Sequence, residues 1–234
     1  MTPPSLTLIL PGYNEEASIE EAVRSALALL AGLAPEHEIV IVDDGSTDGT
    51  PALADRLAAE SPAVRVIHNP VNLGVGISVL IGFHAATKDV VLHSAMDRPF
   101  DLADLKEVLP LFPAADVVAI VRTDRTAHAP WRKLTSWVNH WMIRLLFRCG
   151  LRDMNFVQLY KREVLQRVRV KAKSPAFVTP ELLIRARDQG FRIVEARLPF
   201  HPRRAGKANY GKPRDILWTL ADMLSFWLER GFGK

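Results

Sequence analysis

Runs of branched apolar residues recur along the first half of the chain, at residues 6–10, 39–42, 64–67, 90–92 and 117–121, and each gives way to turn or polar residues. Short continuous apolar runs bounded by turn formers predict strands buried on both faces. Between the first two runs, Ile19, Ala22, Val23, Ala26, Leu27 and Leu30 follow helical spacing, and an Ala/Leu-rich helical segment starts near Pro51 ahead of the third. Strands alternating with helices predict an α/β fold with a mainly parallel central sheet flanked by helices. Ligands of such sheets bind beyond the carboxyl ends of the strands. The residues just after each apolar run therefore carry the candidate chemistry.

After about residue 125 the rhythm changes. Leu134, Trp137, Val138, Trp141, Leu145 and Leu146 share one helical face, flanked by Arg132, Lys133, Arg144 and Arg148. A Trp-bearing basic amphipathic helix suits a membrane interface; the same stripe would equally serve to pack on the protein's own sheet. A second broad apolar helix is predicted over 215–228, with Ile216, Leu217, Leu220, Met223, Leu224, Trp227 and Leu228, ending near Gly231. No repeat or low-complexity linker interrupts the chain, so 1–234 reads as a single domain whose pattern changes at about residue 125.

Composition narrows the compartment. Of 234 residues, 48% are hydrophobic and 24% charged, the profile of a globular chain with a core. A single cysteine, Cys149, forms no internal disulfide, and the opening residues lack a basic stretch followed by a signal-type apolar run, which leads to an expectation of a reducing cytoplasm. The most apolar segment, 134–147, is broken by His140 and Arg144 and falls short of the roughly 18 residues a bilayer span needs. The net charge of +4 is unevenly spread: Arg197, Arg203, Arg204, Lys207, Lys212 and Arg214 follow one another with no acidic residue between, a stretch suited to an anion. With only Tyr210 to stack on bases, that stretch does not read as a nucleic-acid site.

The first strand leads into Pro11-Gly12-Tyr13-Asn14-Glu15-Glu16 and the second into Asp43-Asp44-Gly45-Ser46-Thr47-Asp48-Gly49-Thr50. Carboxylates at strand ends can accept hydrogen bonds from a base N–H or a ribose hydroxyl, while Ser, Thr and Asp in the second segment also suit a helix cap. Together the two segments resemble the opening signature of the family 2 glycosyltransferases, and Asn69-Pro70-Val71-Asn72-Leu73-Gly74, running on through Gly76 and Gly82, is similar to that family's Asn-x-Gly stretch. The pattern is closest to the polyprenyl-phosphate sugar transferases. The resemblance implies the GT-A fold, a single α/β unit with a nucleotide-binding half to about 125 and an acceptor half from about 126, with Pro11, Tyr13, Glu15, Asp43, Asp44, Asn72 and Gly74 binding a UDP- or GDP-linked sugar donor.

The family's next motif is an Asp-x-Asp that holds Mg²⁺ or Mn²⁺ on the donor diphosphate. Here Ala95 stands at its first acid and Asp97 at its second, so the resemblance implies a metal role for Asp97 alone, with Arg98 adding positive charge. Downstream, Asp153 begins a segment similar to one in polyprenyl-phosphate transferases and is the candidate catalytic carboxylate on the acceptor side. His201-Pro202-Arg203-Arg204-Ala205-Gly206-Lys207 is similar to that subgroup's basic loop, which implies that Arg203, Arg204 and Lys207 meet the diphosphate or an acceptor phosphate. The seven histidines, His37, His68, His84, His93, His128, His140 and His201, show no zinc-ligand spacing and read as surface or packing residues; His93 differs in preceding Asp97 at the same strand end.

The resulting expectation is an inverting, nucleotide-sugar-dependent transferase that is peripheral on the inner face of the cell membrane and acts on polyprenyl phosphate. Two rivals keep the same fold: a soluble enzyme glycosylating a hydroxyl of a lipid, saccharide or metabolite, and a nucleotide-sugar-binding protein with little turnover, suggested by Ala95.

Overall fold

The computed structural model describes residues 3–96, 101–122, 130–198 and 213–232. The chain runs β1 (Leu6–Gly12), α1 (Ile19–Leu33), β2 (His37–Asp43), α2 (Thr50–Glu60), β3 (Val64–His68), α3 (Val75–Ala85), β4 (Val90–His93), a short α4 (Leu105–Val108) and β5 (Val117–Arg122). It continues through α5 (Pro130–Phe147), β6 (Gln158–Lys161), α6 (Arg162–Arg167), α7 (Val178–Asp188), β7 (Ile193–Leu198) and α8 (Pro213–Phe232). The five predicted strands are present, each extended by one to three residues; the apolar-run criterion passed over β6 and β7, whose polar and charged positions break the apolar pattern.

The strands form one sheet in the order β3-β2-β1-β4-β6-β5-β7. All neighbours are parallel except β6, which is antiparallel to β4 and to β5. The chain builds outward from β1 to β2 and β3 and then returns to lay β4 on the other side of β1. That reversal opens a crevice at the carboxyl ends of β1 and β4, the usual ligand position in open α/β sheets. Because β6 runs the other way, its amino end arrives at the same edge, so the segment carrying Asp153 is delivered there.

Both faces of the sheet are covered, which is why residues 8–10 of β1 and 39–42 of β2 are wholly apolar. Leu6, Leu8 and Leu10 pack with Ile19, Val23 and Leu30 of α1 on one face. On the other, Ile9, Val40 and Val42 meet Val79 and Phe83 of α3 and a group that includes Phe147, Phe177 and Phe226. Phe147 stacks on Phe226 at 5.0 Å and lies 5.6 Å from Phe177, which fastens α5 and α8 to the start of α7. Ion pairs reinforce that junction: Arg185 bridges Glu181 and Glu229, and Arg230 reaches Asp188.

The outer faces of the two long helices are a different matter. Trp137, Val138, Trp141, Leu145 and Leu146 of α5 are exposed, as are Ile216, Leu217, Leu220, Leu224, Trp227 and Leu228 of α8. Burial is carried instead by Ile143 and Phe147 on α5 and by Thr219, Met223 and Phe226 on α8. The sequence left two destinations for the tryptophan stripe, and its described members turn away from the sheet. No helix among the described residues is long and apolar enough to cross a membrane.

Close packing of α3 on β1 generates a test with a built-in control. A β-carbon on Gly82 would lie 2.3 Å from Cγ2 of the fully buried Ile9, whereas one on Gly32 of α1 would meet open space. Gly82→Ala is expected to destabilise the protein by about 1–3 kcal/mol through overpacking, and Gly32→Ala to stabilise it by about 0.5–1 kcal/mol through helix propensity. Thermal melting of the two variants should therefore move in opposite directions.

Candidate active site

Two loops at the carboxyl edge are stitched together by side chains reaching across to backbone. Asn14, held at φ 56°, receives Thr47 N–H on Oδ1 at 2.9 Å and donates its own N–H to Ser46 Oγ at 2.9 Å. Asn tolerates this left-handed conformation better than most residues do. Glu15 N–H donates to Thr50 Oγ1 at 2.8 Å, and Gly49 N–H donates to Glu16 Oε2 at 2.6 Å. Asp48 closes the turn into α2, accepting from Thr50 N–H at 2.9 Å. The segment from Asp43 to Thr50 is thus both a helix-capping turn and one wall of the crevice. Pro11 is buried in β1, Tyr13 and Glu15 are partly buried, and the Glu15 carboxylate accepts from the Ser18 hydroxyl.

The adjacent acids at the end of β2 point to different partners. Asp43 is 2% exposed; its Oδ1 accepts from Ser46 N–H at 3.0 Å and its Oδ2 meets His68 Nδ1 at 2.8 Å. On its far side the His68 ring reaches Asp55 of α2, with Nε2 3.1 Å from Oδ1. Asp44 is 3% exposed and anchors the next loop: Oδ1 accepts from Asn69 Nδ2 and Leu73 N–H, and Oδ2 from Gly74 N–H, each at 2.9 Å. A carboxylate offers about four acceptor positions, so a single one on Oδ2 is left for a ligand. Gly45 is required at its turn: its φ is +72°, and a β-carbon there would lie 2.4 Å from the Val71 carbonyl carbon. Asn72 is exposed at the rim, and Gly74, with φ +92°, lies under the ring of Trp218 from α8.

On the other side of the crevice, Asp153 is 3% exposed and bound by both ends of a guanidinium fork. Arg122, the last residue of β5, donates from Nε to Oδ2 at 2.7 Å and from Nη2 to Oδ1 at 3.1 Å. Arg122 also covers the Phe156 ring at 4.9 Å. Arg152, the sequence neighbour, turns instead to Glu195, to which its backbone N–H also donates. At the end of β4, the His93 ring is partly exposed but its Nδ1 is enclosed without a hydrogen-bond partner among the described residues. Burial depresses its pKa to about 4, so the ring is neutral near pH 7 and supplies no positive charge for a diphosphate.

Asp97, Arg98, Arg203, Arg204 and Lys207 lie outside the described residues. Among the described residues no three His, Cys, Asp or Glu side chains come together to hold a metal ion, and Ala95 offers no donor atom. The residues that reading the sequence missed are Arg122, Asn69, Asp55 and the bridging role of His68, which had been grouped with packing and surface histidines. A polar His68 closing β3 beside Asn69 was the one local signal.

An open α/β sheet with acidic loops at its switch point is the architecture of the class of GT-A glycosyltransferases. The solved glucosyl-3-phosphoglycerate synthase of Mycobacterium tuberculosis, in complex with Mn²⁺, UDP-glucose and phosphoglyceric acid, shares the fold with a TM-score of 0.67 at 21% identity, over 96% of this chain and 80% of that one. The chain belongs to glycosyl transferase family 2, whose model matches residues 7–168, and is thereby a nucleotide-sugar-dependent glycosyltransferase. It is 31% identical over 243 residues to the polyprenol monophosphomannose synthase of Mycolicibacterium smegmatis, covering 96% of this chain and 87% of that protein. It is also 30% identical over 233 residues to glycosyltransferase AglD of Haloferax volcanii; the match covers 96% of this chain but spans only 37% of that relative's length.

Asp44 provides the second test. Alanine there removes the acceptor for Asn69 and for two backbone N–H groups while leaving those donors partly buried. Asp44→Ala should lower stability by roughly 2–4 kcal/mol, read as the urea midpoint. A midpoint matching wild type would mean that the loop from Asn69 to Gly74 holds its shape without the carboxylate.

Proposed function

We propose that this enzyme transfers a sugar from a nucleotide-sugar donor to a polyprenyl phosphate at a membrane surface, with inversion at the anomeric carbon. The observation that carries this reading is the apolar surface of α5 and α8, left facing solvent beside the crevice. Trp218 of α8 lies against Gly74, where a β-carbon would sit 3.9 Å from the ring, so the helix with exposed Leu217, Leu224 and Trp227 begins at the donor loop. An exposed apolar patch of this extent marks a docking surface, and its aliphatic and tryptophan content suits the headgroup boundary of a bilayer. The polyprenol monophosphomannose synthase named above supports the same acceptor class.

In this reading Pro11, Tyr13, Glu15, Asp43 and Asp44 receive the nucleoside, the free acceptor position on Asp44 taking a base N–H, while Asn72 and Gly74 border the donor. An oxygen of the acceptor phosphate attacks the anomeric carbon as the bond to the nucleoside diphosphate breaks. That phosphate is already ionised near neutral pH, so Asp153, fixed by Arg122, would orient the acceptor or a metal ion rather than remove a proton. A hydroxyl acceptor would instead need a general base there. We assign Arg203, Arg204 and Lys207 to the phosphates and Asp97 to a Mg²⁺ or Mn²⁺ ion, which would offset charge on the departing diphosphate. The protein would act from the inner face of the membrane without spanning it.

Transfer to polyprenyl phosphate in anionic vesicles should exceed transfer to soluble phosphate or hydroxyl acceptors and should fall on addition of EDTA. Replacing exposed Leu217 and Trp227 together by Glu should lower lipid-acceptor turnover and vesicle cosedimentation by roughly tenfold or more, since each side chain forfeits apolar burial worth on the order of 1.5–3 kcal/mol. Donor affinity should be unchanged. Equal use of soluble and lipid acceptors, with no sedimentation at low salt, would overturn the membrane reading.

A further inference from the structure

We infer that His68 is a positioning residue for the donor, acting as a cationic clamp that ties the end of β2 to α2 and so holds the intervening loop in its binding shape. The inference rests on the reading that this loop receives the nucleoside. Asp43 and His68 are register partners on β2 and β3, which sets the ring beside the carboxylate. Nδ1 lies 2.8 Å from Asp43 Oδ2, and Nε2 lies 3.1 Å from Asp55 Oδ1 on the second turn of α2. A carboxylate only accepts, so bridging two of them requires a proton on each ring nitrogen. The neutral ring has one N–H and can keep only one partner.

The partner it keeps follows from solvation. Asp43 is 2% exposed and has few other donors, whereas Asp55 is 69% exposed and readily hydrated. Deprotonation therefore releases Asp55 first. That release matters because the Asp43–Thr50 loop is spanned at one end by Asp43 and at the other by the start of α2: the two bonds of His68 close it like a brace. A loop held in its bound shape binds more tightly, because less ordering remains to be done on binding. The cross-loop bonds of Asn14 and Glu16 persist in either state, so the effect is a few-fold rather than all-or-none.

The charged groups around the ring are anionic where they touch it. Asp43 faces it from β2 and Asp55 from α2. Asp44 is turned to Asn69 and the amides of Leu73 and Gly74, Arg65 of β3 is turned to Glu38, and Arg56 of α2 is paired with Glu20 and Glu60. The hydrogen bond to Asp43 first, and that to Asp55 next, raise the His68 pKa above its ordinary value of 6.5 against an opposing effect of burial. A raised value in the folded protein means that the clamp is fully made below about pH 6.5 and is lost as pH rises through the folded value. Donor affinity should follow the same course.

The test titrates UDP and GDP by calorimetry into the full-length protein at about pH 6 and about pH 9, alongside His68→Gln and Asp55→Asn, with the His68 C2–H resonance followed by NMR. Wild type should bind the preferred nucleotide about fivefold more weakly at the higher pH, and both variants should lose most of that dependence: His68→Gln binds with the weaker affinity throughout, and Asp55→Asn, whose amide can accept from the charged ring or donate to the neutral one, binds with nearly the same affinity at both pH values. By linkage, saturating nucleotide should raise the His68 pKa in wild type. Asp55→Asn, at an exposed position, keeps the experiment informative if His68→Gln fails to fold. Equal wild-type affinity at both pH values, or an undiminished pH dependence in Asp55→Asn, overturns the clamp while leaving the nucleotide reading intact. Absence of binding by either nucleotide at both pH values overturns the nucleotide reading and the clamp's role with it, whatever pKa His68 shows.

Discussion

Asp43 and Asp44 are both nearly buried at the end of a central strand, and a carboxylate taken out of water must be met by donors. The surroundings of the crevice follow from how that demand is satisfied. Asp43 takes the amide of Ser46 and the ring of His68, which sets the turn into α2 and reaches across to β3. Asp44 takes Asn69 and the amides of Leu73 and Gly74, which folds the chain after β3 back over the end of β2. Two neighbouring acids thereby shape two different loops, and their remaining acceptor positions lie between those loops. The structural anchoring of both loops and the proposed recognition of the donor draw on the same side chains.

The opposite wall depends on strand direction. β6 enters the sheet between β4 and β5 against the direction of both, so the turn that precedes it arrives where the parallel strands end. Asp153 is carried on that turn, and Arg122 is carried by the last residue of β5; their bidentate pairing is a consequence of this reversal. α8 then closes the side of the crevice. Asp222 accepts from the amides of Lys173 and Ser174 at 2.9 and 2.8 Å, Glu229 pairs with Arg185 and Lys171, and Trp218 rests on Gly74. One helix is thus tied to the loop before α7 and to the loop after β3, while its outer face stays apolar and exposed.

This arrangement separates the tasks of the two long helices by face. Inward, aromatic stacking of Phe147, Phe177 and Phe226 supplies the cohesion that holds α5 and α8 on the sheet. Outward, side chains such as Trp141, Leu145 and Leu224 contribute nothing to that core and impose the usual cost of leaving apolar surface in water. A surface of that kind is stable in a folded protein when something apolar covers it in use. Its position next to the crevice is what motivates the proposed lipid acceptor.

The amino-acid sequence by itself determined what depends on neighbours along the chain. The apolar runs specified β1 to β5, and the helical spacing specified α1 and the two amphipathic helices; of the two glycines in the segment after β2, Gly45 takes the positive φ of a tight turn, whereas Gly49, at φ −72°, does not. The acids at the strand ends and the family of the chain were legible for the same reason, since those motifs are contiguous. Tertiary structure decided the rest. The bridging of Asp43 and Asp55 by His68, the grip of Arg122 on Asp153, and the outward turn of the tryptophan stripe all join or orient residues through strand order and register. Spacing along a chain records which face of an element is apolar. It does not record whether that face meets a sheet or the solvent, nor which distant strand end will supply the counter-ion, because both depend on where the other elements have packed.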